Sequence, residues 1–151
     1  MTHYTPLNTG TASGASEQAL HEVLETFPSL GVYGFLSKDR DESDEAFSQR
    51  LQSEREVTES VVKMFDSACR EMRKLDKIKS KNSNCGSYTL KHLAEKLAGS
   101  YISNGILIAA AAHCGFKVYP TQYQSPNAYF NLSSRSVSAM FRRANRTGGE
   151  S

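Results

Sequence analysis

The sequence predicts a mainly α-helical fold with a short β-hairpin, of the α+β class. Three observations support this prediction. An apolar run between Gly105 and Gly115 is typical of a buried helix, and the stretch from about Ser43 to Lys79 contains neither Gly nor Pro. In the C-terminal half, two short helical patterns are followed by two strand patterns, which is the element order of a winged helix-turn-helix. A length of 151 residues fits one domain.

The apolar run is the segment around which the C-terminal half is expected to pack. Nine residues lie between the two glycines, and His113 is the strongly polar one among them. A helix that is apolar on all sides must be covered on all sides. Ser103 or Asn104 is suited to cap its N-terminus.

The N-terminal region is predicted to combine a flexible arm with helical structure. Residues 1–15 are rich in Thr, Gly, Ser and Asn, which is typical of a flexible arm. Ser16 is a candidate N-cap for a helix over residues 17–27, and the segment 16–81 is predicted to be a helical region. Residues 30–36 are apolar but interrupted by glycines, so we expect a loop or short strand that enters the core.

A single long helix is predicted from Ser43 to Lys79, roughly 50 Å long at about 1.5 Å per residue. Apolar side chains recur in steps of four and three, and the pattern is uninterrupted between Val61 and Leu75. One interpretation is a coiled coil that forms a homodimer through Val61–Leu75. The favoured alternative is a helix that lies on its own domain, because two heptads are few for a coiled coil.

Residues 82–146 are predicted to form the winged-helix-like domain, followed by a tail over residues 147–151. Its first helix begins at Ser87 or Thr89 and ends at Gly99, which is suited to the C′ position. Strands are predicted over residues 116–119 and 128–132. A last helix follows, with an apolar face formed by Val137, Met140, Phe141 and Ala144.

The predicted helix over residues 105–114 is the second of the two helices, which is the position of a recognition helix, but its side chains do not suit base recognition. Reading base edges requires exposed Arg, Lys, Asn, Gln or Ser side chains, and the run 105–114 carries Ala and Ile instead. Nucleic acid is therefore expected to bind elsewhere on the domain.

Charge is distributed unevenly between the two halves of the chain. Residues 1–76 carry 14 acidic and 8 basic side chains, a net charge of −6, whereas residues 77–151 carry 10 basic and 2 acidic, a net charge of +8. This asymmetry indicates either contact with nucleic acid or an acidic half that covers the basic half of the same molecule. The predicted nucleic-acid-binding residues are Lys77, Lys79, Lys81, Lys91, Lys96, Lys117, Arg135, Arg142, Arg143 and Arg146.

Contacts from such residues would be mainly to phosphate, and they would depend on salt and discriminate poorly between sequences. The tyrosines of the same half, Tyr101, Tyr119, Tyr123 and Tyr129, could stack on unpaired bases or close a small core. Four polar residues near helix and strand ends are candidates to bind a ligand or anion, or to satisfy backbone groups: Ser103, Asn104, Asn127 and Asn131.

Three segments of the C-terminal half carry a resemblance. They are Ser87-Tyr88-x-Leu90-Lys91-His92, Tyr101-Ile102-Ser103-Asn104-Gly105 and Pro126-Asn127-Ala128-x-Phe130-Asn131. Over residues 87–132 the chain resembles small uncharacterised proteins carried on bacterial plasmids and other mobile elements. The resemblance implies a bacterial, cytoplasmic context in which plasmid maintenance, transfer or the counteraction of host defences are the expected roles, and it assigns no catalytic residue.

Sequence motifs for catalysis and for cofactors are weak. His92 and Glu95 can face the same side of one helix, and Cys85, His113 and Cys114 could form a thiol–imidazole set. The three cysteines, Cys69, Cys85 and Cys114, lack the spacing of a metal site. We therefore expect no metal, no cofactor and no catalytic residues. The absence of a basic and apolar leader and of a run of about 20 apolar residues predicts a cytoplasmic protein without membrane contact.

The sequence favours a non-enzymatic nucleic-acid-binding accessory protein of a bacterial mobile element. The alternative is a protein-interaction module that inhibits a host machine or a conjugation or defence machine. In that case the outer face of the long helix or residues 29–36 would contact the partner.

Overall fold

The computed structural model describes residues 13–122 and 124–149, including the side chains of 15–122 and 124–146. This part of the chain contains six helices and five short strands. In chain order they are α1 Ser13–Thr26, β1 Leu30–Gly31, β2 Gly34–Phe35, α2 Asp44–Glu54, α3 Glu59–Met72, β3 Lys77–Asn82, α4 Ser87–Ala98, α5 Asn104–His113, β4 Val118–Pro120, β5 Ala128–Leu132 and α6 Ser134–Gly149. The mixed α+β class predicted from the sequence is confirmed.

Helix α5 lies at the centre of the molecule, and all ten of its residues are buried. Ser103 is its N-cap, and its hydroxyl accepts a hydrogen bond from the amide of Ile106. Helices α1, α3 and α4 and the β1–β2 hairpin pack around it. The prediction of a helix buried on all sides is therefore confirmed.

The β1–β2 hairpin lies directly on the N-terminus of α5. The amide of Gly105 donates to the carbonyl of Val32 over 3.0 Å. A Cβ atom at residue 105 would overlap the carbonyl oxygen of Gly31, so this close approach requires glycine. As predicted, residues 30–36 include short strands that enter the core.

The prediction of one helix from Ser43 to Lys79 is wrong, because the chain breaks between α2 and α3. Thr58 ends the break as the N-cap of α3, and its hydroxyl accepts from the amide of Val61. Within the break, the guanidinium of Arg55 donates to three carbonyl oxygens, at 2.6–2.8 Å: those of Leu24, Phe27 and Leu30. This tertiary anchor holds residue 55 against the end of α1 and the start of the hairpin, which a continuous helix would not allow.

The apolar seam is used inside the domain. On α3 the seam residues Val61, Phe65, Ala68 and Met72 are buried, and the helix packs on α1 and α5. On α2 no residue is buried. The observation favours the interpretation in which the Val61–Leu75 segment lies on its own domain.

Residues 77–82 form a strand, not the end of a helix. Strand β3 pairs antiparallel with β5, with Lys77 opposite Leu132 and Asn82 opposite Phe130, and the register shifts between these pairs. Asn131 bridges the irregular stretch, since its amide group donates to the carbonyl of Ile78 and accepts from the amide of Lys117. A helical pattern could not reveal this pairing, because the partner strand lies some 50 residues away.

The main sheet has the order β3-β5-β4, and both pairings are antiparallel. Strand β5 has the bounds predicted from the sequence, and β4 begins two residues after the predicted start. Gly99 ends α4 in the left-handed conformation with φ +74°, as predicted.

The two ends of the described chain differ from their predictions. Helix α1 begins at Ser13, inside the predicted arm, and α6 runs to Gly149, into the predicted tail. The rest of the arm, residues 1–12, and residues 150–151 lie outside the described residues. On α6, Met140 and Ala144 are buried, whereas Phe141 is 51% exposed. Residue 141 lies about 100° around the helix from residue 140, which turns it away from the core.

One hydrophobic cluster includes residues from Ala19 on α1 to Ala144 on α6. The shared core and the β3–β5 pairing therefore cross the boundary predicted between residues 81 and 82.

Replacing Gly105 by Ala tests the contact between hairpin and helix. A Cβ atom would force the backbones of residues 31 and 105 apart, so the free energy of unfolding is expected to fall by about 3 kcal/mol. Urea denaturation would measure this. Gly86→Ala is the matched control: its Cβ would make ordinary contacts with Tyr129, and a loss below about 1 kcal/mol is expected. Equal losses in both variants would contradict the close approach.

His113 makes the stability depend on pH. Burial beside Phe65, with the nearby charge of Arg73, lowers the pKa of His113, so the folded state favours the neutral ring. The unfolded chain binds a proton near the ordinary value of about 6.5. The stability that neutral His113 provides is therefore present above about pH 6.5 and lost as the pH falls below it towards the folded pKa.

Thermal unfolding between about pH 8 and pH 5 would measure this effect. His113→Gln is expected to flatten the decline of the midpoint on acidification. His21→Gln, which changes an exposed histidine, is expected to follow the parent protein. A parallel decline in His113→Gln would contradict the assignment.

Candidate nucleic-acid interface

Strand β3 presents a row of lysines at one edge of the sheet. Residues 77–81 are all exposed, and we call Lys77, Lys79 and Lys81 the edge lysines. The ammonium of Lys77 lies 4.5 Å from the ring centroid of Phe116, and that of Lys81 lies 5.8 Å from the ring centroid of Tyr129. These cation–π contacts place two of the positive charges beside the sheet.

A polar cavity of about 620 Å³ lies next to Lys81, and we call it the α4 cavity. The turn after β3, the first turn of α4 and the loop between β4 and β5 surround it. Its lining residues are Lys81, Ser83, Asn84, Gly86, Tyr88, Thr89, Pro120, Thr121, Gln122, Ser125, Asn127 and Tyr129.

The N-terminus of α4 contributes positive potential to this cavity. The N-cap, Gly86, provides no side-chain acceptor, and the hydroxyl of Ser87 accepts instead from the amide of Ala128 over 3.0 Å. The first-turn amides of a helix have no partner within the helix and favour anions. Polar hydroxyl and amide groups, Lys81 and a helix N-terminus thus surround one open space, an arrangement suited to phosphate.

Exposed aromatic rings lie along the adjoining face of α4. Tyr88 is 56% exposed and Tyr101 is 57% exposed. The ring of His92 meets that of Tyr88 edge-on, with centroids 4.6 Å apart. A second, open groove of about 570 Å³, here called the Tyr101 groove, is lined by His92, Glu95, Lys96, Ser100 and Tyr101.

Lys91 lies beneath these rings and not on the surface. It is 7% exposed, and its ammonium pairs with the Glu95 carboxylate over 2.7 Å. Burial alone would raise the pKa of Glu95, but the hydrogen bonds from Lys91 and from the amide of Ile102 lower it on balance. Lys91 was predicted to contact phosphate, but the structure places its charge in a pair inside the domain and not at the surface.

The other predicted basic residues lie mainly on the surface. Lys96 is exposed at the Tyr101 groove, whereas Lys117 is half-buried and its amide is held by Asn131. On α6, Arg143 is half-buried, and three arginines are exposed: Arg135, Arg142 and Arg146. The structure therefore places Lys81 at the α4 cavity and Lys96 at the Tyr101 groove, whereas the arginines lie along α6.

The four polar candidates divide into internal and surface groups. Ser103 is buried as the cap of α5, and Asn131 is buried as a bridge between strands. The amide of buried Asn104 donates to the carbonyl of Pro126 and to the side-chain oxygen of Asn127. Only Asn127 of the four lines the α4 cavity.

The acidic half of the chain does not neutralise the edge lysines. Some of its carboxylates pair with basic residues of the same half: Asp44 with Lys38, Glu42 with Arg50, and Glu71 with Lys74. Among the described residues, no carboxylate lies within 4.0 Å of the ammonium groups of Lys77, Lys79, Lys81 or Lys96. These four charges are therefore open to an external anion.

The thiol–imidazole set is not assembled. The Cys85 thiol donates to the carbonyl of Gly86, and burial raises its pKa to about 11. The Cys114 thiol donates to the carbonyl of Cys69 on α3, while His113 packs against Phe65. Within residues 13–122 and 124–149, no hydrogen bond joins a thiol to an imidazole, and no three His, Cys, Asp or Glu side chains converge to hold a metal ion.

Tyr88, which is exposed and lines the α4 cavity, was not selected as a candidate site residue from the sequence. Its spacing could have identified it, because Tyr88, Lys91, His92 and Glu95 fall at i, i+3, i+4 and i+7 on one helix face. The contribution of Tyr101 to the same surface depends on the turn after Gly99, and no periodic pattern reports this.

No protein-family model matches the chain, and neither a curated protein nor a solved structure matches it significantly. In the part of the chain that the structure describes, no helix has both the length and the apolar character required to cross a bilayer.

Replacing Glu95 by Gln tests the buried charge beneath the rings. Lys91 would keep a buried ammonium without its carboxylate, so the free energy of unfolding is expected to fall by about 2–3 kcal/mol. Chemical denaturation would measure the loss. Glu59→Gln, which removes an exposed partner of Lys63, serves as control and is expected to change stability by less than about 0.5 kcal/mol. An equally small effect of Glu95→Gln would show that the pair does not support this face.

Proposed function

We propose that this protein binds nucleic acid, mainly through phosphate contacts and with little sequence specificity. The observation that carries the proposal is the row of exposed edge lysines, which have no carboxylate within 4.0 Å among the described residues. The row lies beside the α4 cavity, which is polar and borders the N-terminus of α4. Groups of this kind attract phosphate through charge and through backbone amides. The strong positive charge of residues 77–151 supports the same assignment.

We further propose that the segment from α3 to β5 is a winged-helix-like domain with an altered binding mode. Its element order is helix, strand, two helices and two strands, and its sheet order is β3-β5-β4. In winged helix-turn-helix proteins the second helix of the pair enters the major groove. Here α5 has that position but is covered by α1 and the β1–β2 hairpin, so binding is assigned to the surrounding surface.

The proposed biological setting is that of an accessory protein of a bacterial plasmid or other mobile element. The resemblance of residues 87–132 to small proteins of such elements supports this setting. Low sequence specificity suits a protein that must act on whichever nucleic acid carries it.

A second candidate function is that of a protein-interaction module, and one observation favours it. Helix α2 buries none of its residues, yet it is held in place by Arg50, which bonds Glu42 and the carbonyl of Ser37. Helix α2 is exposed, is held by the Arg50 bonds, and carries Asp44 and Glu45 in its first turn, so it offers a surface for a basic protein partner. A partner captured after nuclease treatment, and lost when α2 is altered, would support this function.

Binding to labelled random DNA and RNA, followed by fluorescence anisotropy at several salt concentrations, tests the primary proposal. Affinity is expected to fall steeply with salt, with a slope of about 0.9 per phosphate contact on duplex DNA. Replacing all three edge lysines by Gln is expected to weaken binding at low salt by roughly tenfold or more and to reduce the slope by about 2–3.

The matched control replaces three exposed basic residues of the acidic half by Gln: Arg40, Lys63 and Arg70. This control removes the same charge from the protein and is expected to bind more tightly than the edge variant. Absence of binding at low salt, or affinity that does not change with salt, would contradict the proposal.

A further inference from the structure

The rings of two exposed tyrosines, Tyr88 and Tyr101, both lie near the ammonium of one buried lysine. The ammonium of Lys91 is 5.8 Å from the ring centroid of Tyr88 and 4.8 Å from that of Tyr101. The edge contact of His92 with Tyr88 adds a third ring. We call Tyr88, His92 and Tyr101 the aromatic platform. The side chains of Tyr88 and Tyr101 are each more than half exposed, so their rings are available to a partner. Large exposed aromatic surface of this kind often marks an interaction site.

The platform is held rigidly from below. Lys91 pairs with Glu95, and the same carboxylate oxygen accepts from the amide of Ile102 over 3.2 Å. This network joins α4, which carries Tyr88, to the turn that carries Tyr101. The network connects the two backbone segments that carry the rings, and a connection present before binding reduces the ordering that binding must offset.

Positive charge borders the platform on both sides. Tyr88 also lines the α4 cavity with Lys81 and Tyr129, and Tyr101 lines its groove with Lys96. His92 contacts Tyr88, which lines the α4 cavity, and also lines the Tyr101 groove. The α4 cavity and the Tyr101 groove therefore meet along one face of α4. Exposed aromatic rings with cations on either side suit a single strand, whose bases stack on rings while its phosphates contact the cations.

A duplex does not use this arrangement, because its base faces are stacked inside the helix. The helix that would enter a major groove, α5, is fully buried. We propose that the ligand is single-stranded nucleic acid, an inference that rests on the proposed nucleic-acid binding. Its unpaired bases stack on Tyr88 and Tyr101, and its phosphates lie against Lys81 and Lys96.

The test compares a labelled single-stranded oligonucleotide with the corresponding duplex, using the full chain. The main variant replaces Tyr88 and Tyr101 together by Leu, and the conservative variant replaces both by Phe. Tyr33→Leu is the matched control, since Tyr33 is 62% exposed but lines neither the α4 cavity nor the Tyr101 groove. Circular dichroism would verify that each variant folds.

The Leu variant is expected to bind the single strand at least roughly tenfold more weakly, whereas the Phe variant and Tyr33→Leu retain the parent affinity. Duplex binding, which depends on phosphate contacts alone, is expected to change little. An oligonucleotide carrying 2-aminopurine reports stacking directly, and its emission is expected to fall on binding to the parent protein. This readout keeps the test decisive if the Leu variant does not fold.

The outcomes separate this inference from the proposed function. If single-strand binding survives in the Leu variant but is lost in the edge-lysine variant, nucleic-acid binding stands and the stacking proposal is overturned. Unchanged 2-aminopurine emission in the bound state, or tighter binding of the duplex, would overturn it as well. If neither form binds at low salt, the proposed function fails and this inference fails with it.

Discussion

The structure depends on the complete burial of α5. A helix without a polar face has to be surrounded, and here helices α1, α3 and α4 and the β1–β2 hairpin each cover one side. The closest of these contacts is the approach of the hairpin backbone to Gly105, where a side chain has no room. Once this approach is fixed, Arg55 ties the end of α1 and the hairpin together through three carbonyl groups. The break between α2 and α3 follows from the same anchor.

This burial decides where function can lie. In helix-turn-helix proteins the second helix of the pair carries the recognition surface, whereas the second helix of the α4–α5 pair here lies in the core. The remaining surface of the segment is built from its periphery: the edge strand β3, the first turn of α4, the loop after β4 and the turn before α5. Polar side chains are frequent at these places because the backbone N–H and C=O groups at helix and strand ends need hydrogen-bond partners or water. The lysines of β3 add positive charge.

Electrostatics within the chain leave this periphery open. Several carboxylates of the acidic half, including Glu42 and Glu71, pair with bases of the same half, and inside the basic half the pair of Lys91 with Glu95 is buried. A buried pair of this kind contributes little net stability but fixes geometry, since breaking it leaves an unpaired charge. Here the pair, with the Ile102 amide, connects α4 to the turn that carries Tyr101. Among the described residues, no carboxylate lies within 4.0 Å of the ammonium groups of the edge lysines or of Lys96.

The sequence by itself determined the elements whose causes are local. The apolar run, the cap at Ser103, the left-handed Gly99 and strand β5 follow from composition, capping chemistry and short periodicity. The basic character of the C-terminal half, including the edge lysines, was also evident from the residues. Only the tertiary structure decided the features that depend on distant partners. Arg55 broke a helix that local propensity favoured, β3 formed because β5 was available, and Asn131 was used to join two strands. Lys91 was drawn inward by Glu95 and two rings, so a predicted phosphate contact became a support for the surface above it. Local patterns report the preference of a segment, whereas burial and long-range hydrogen bonds decide which preferences the fold can satisfy.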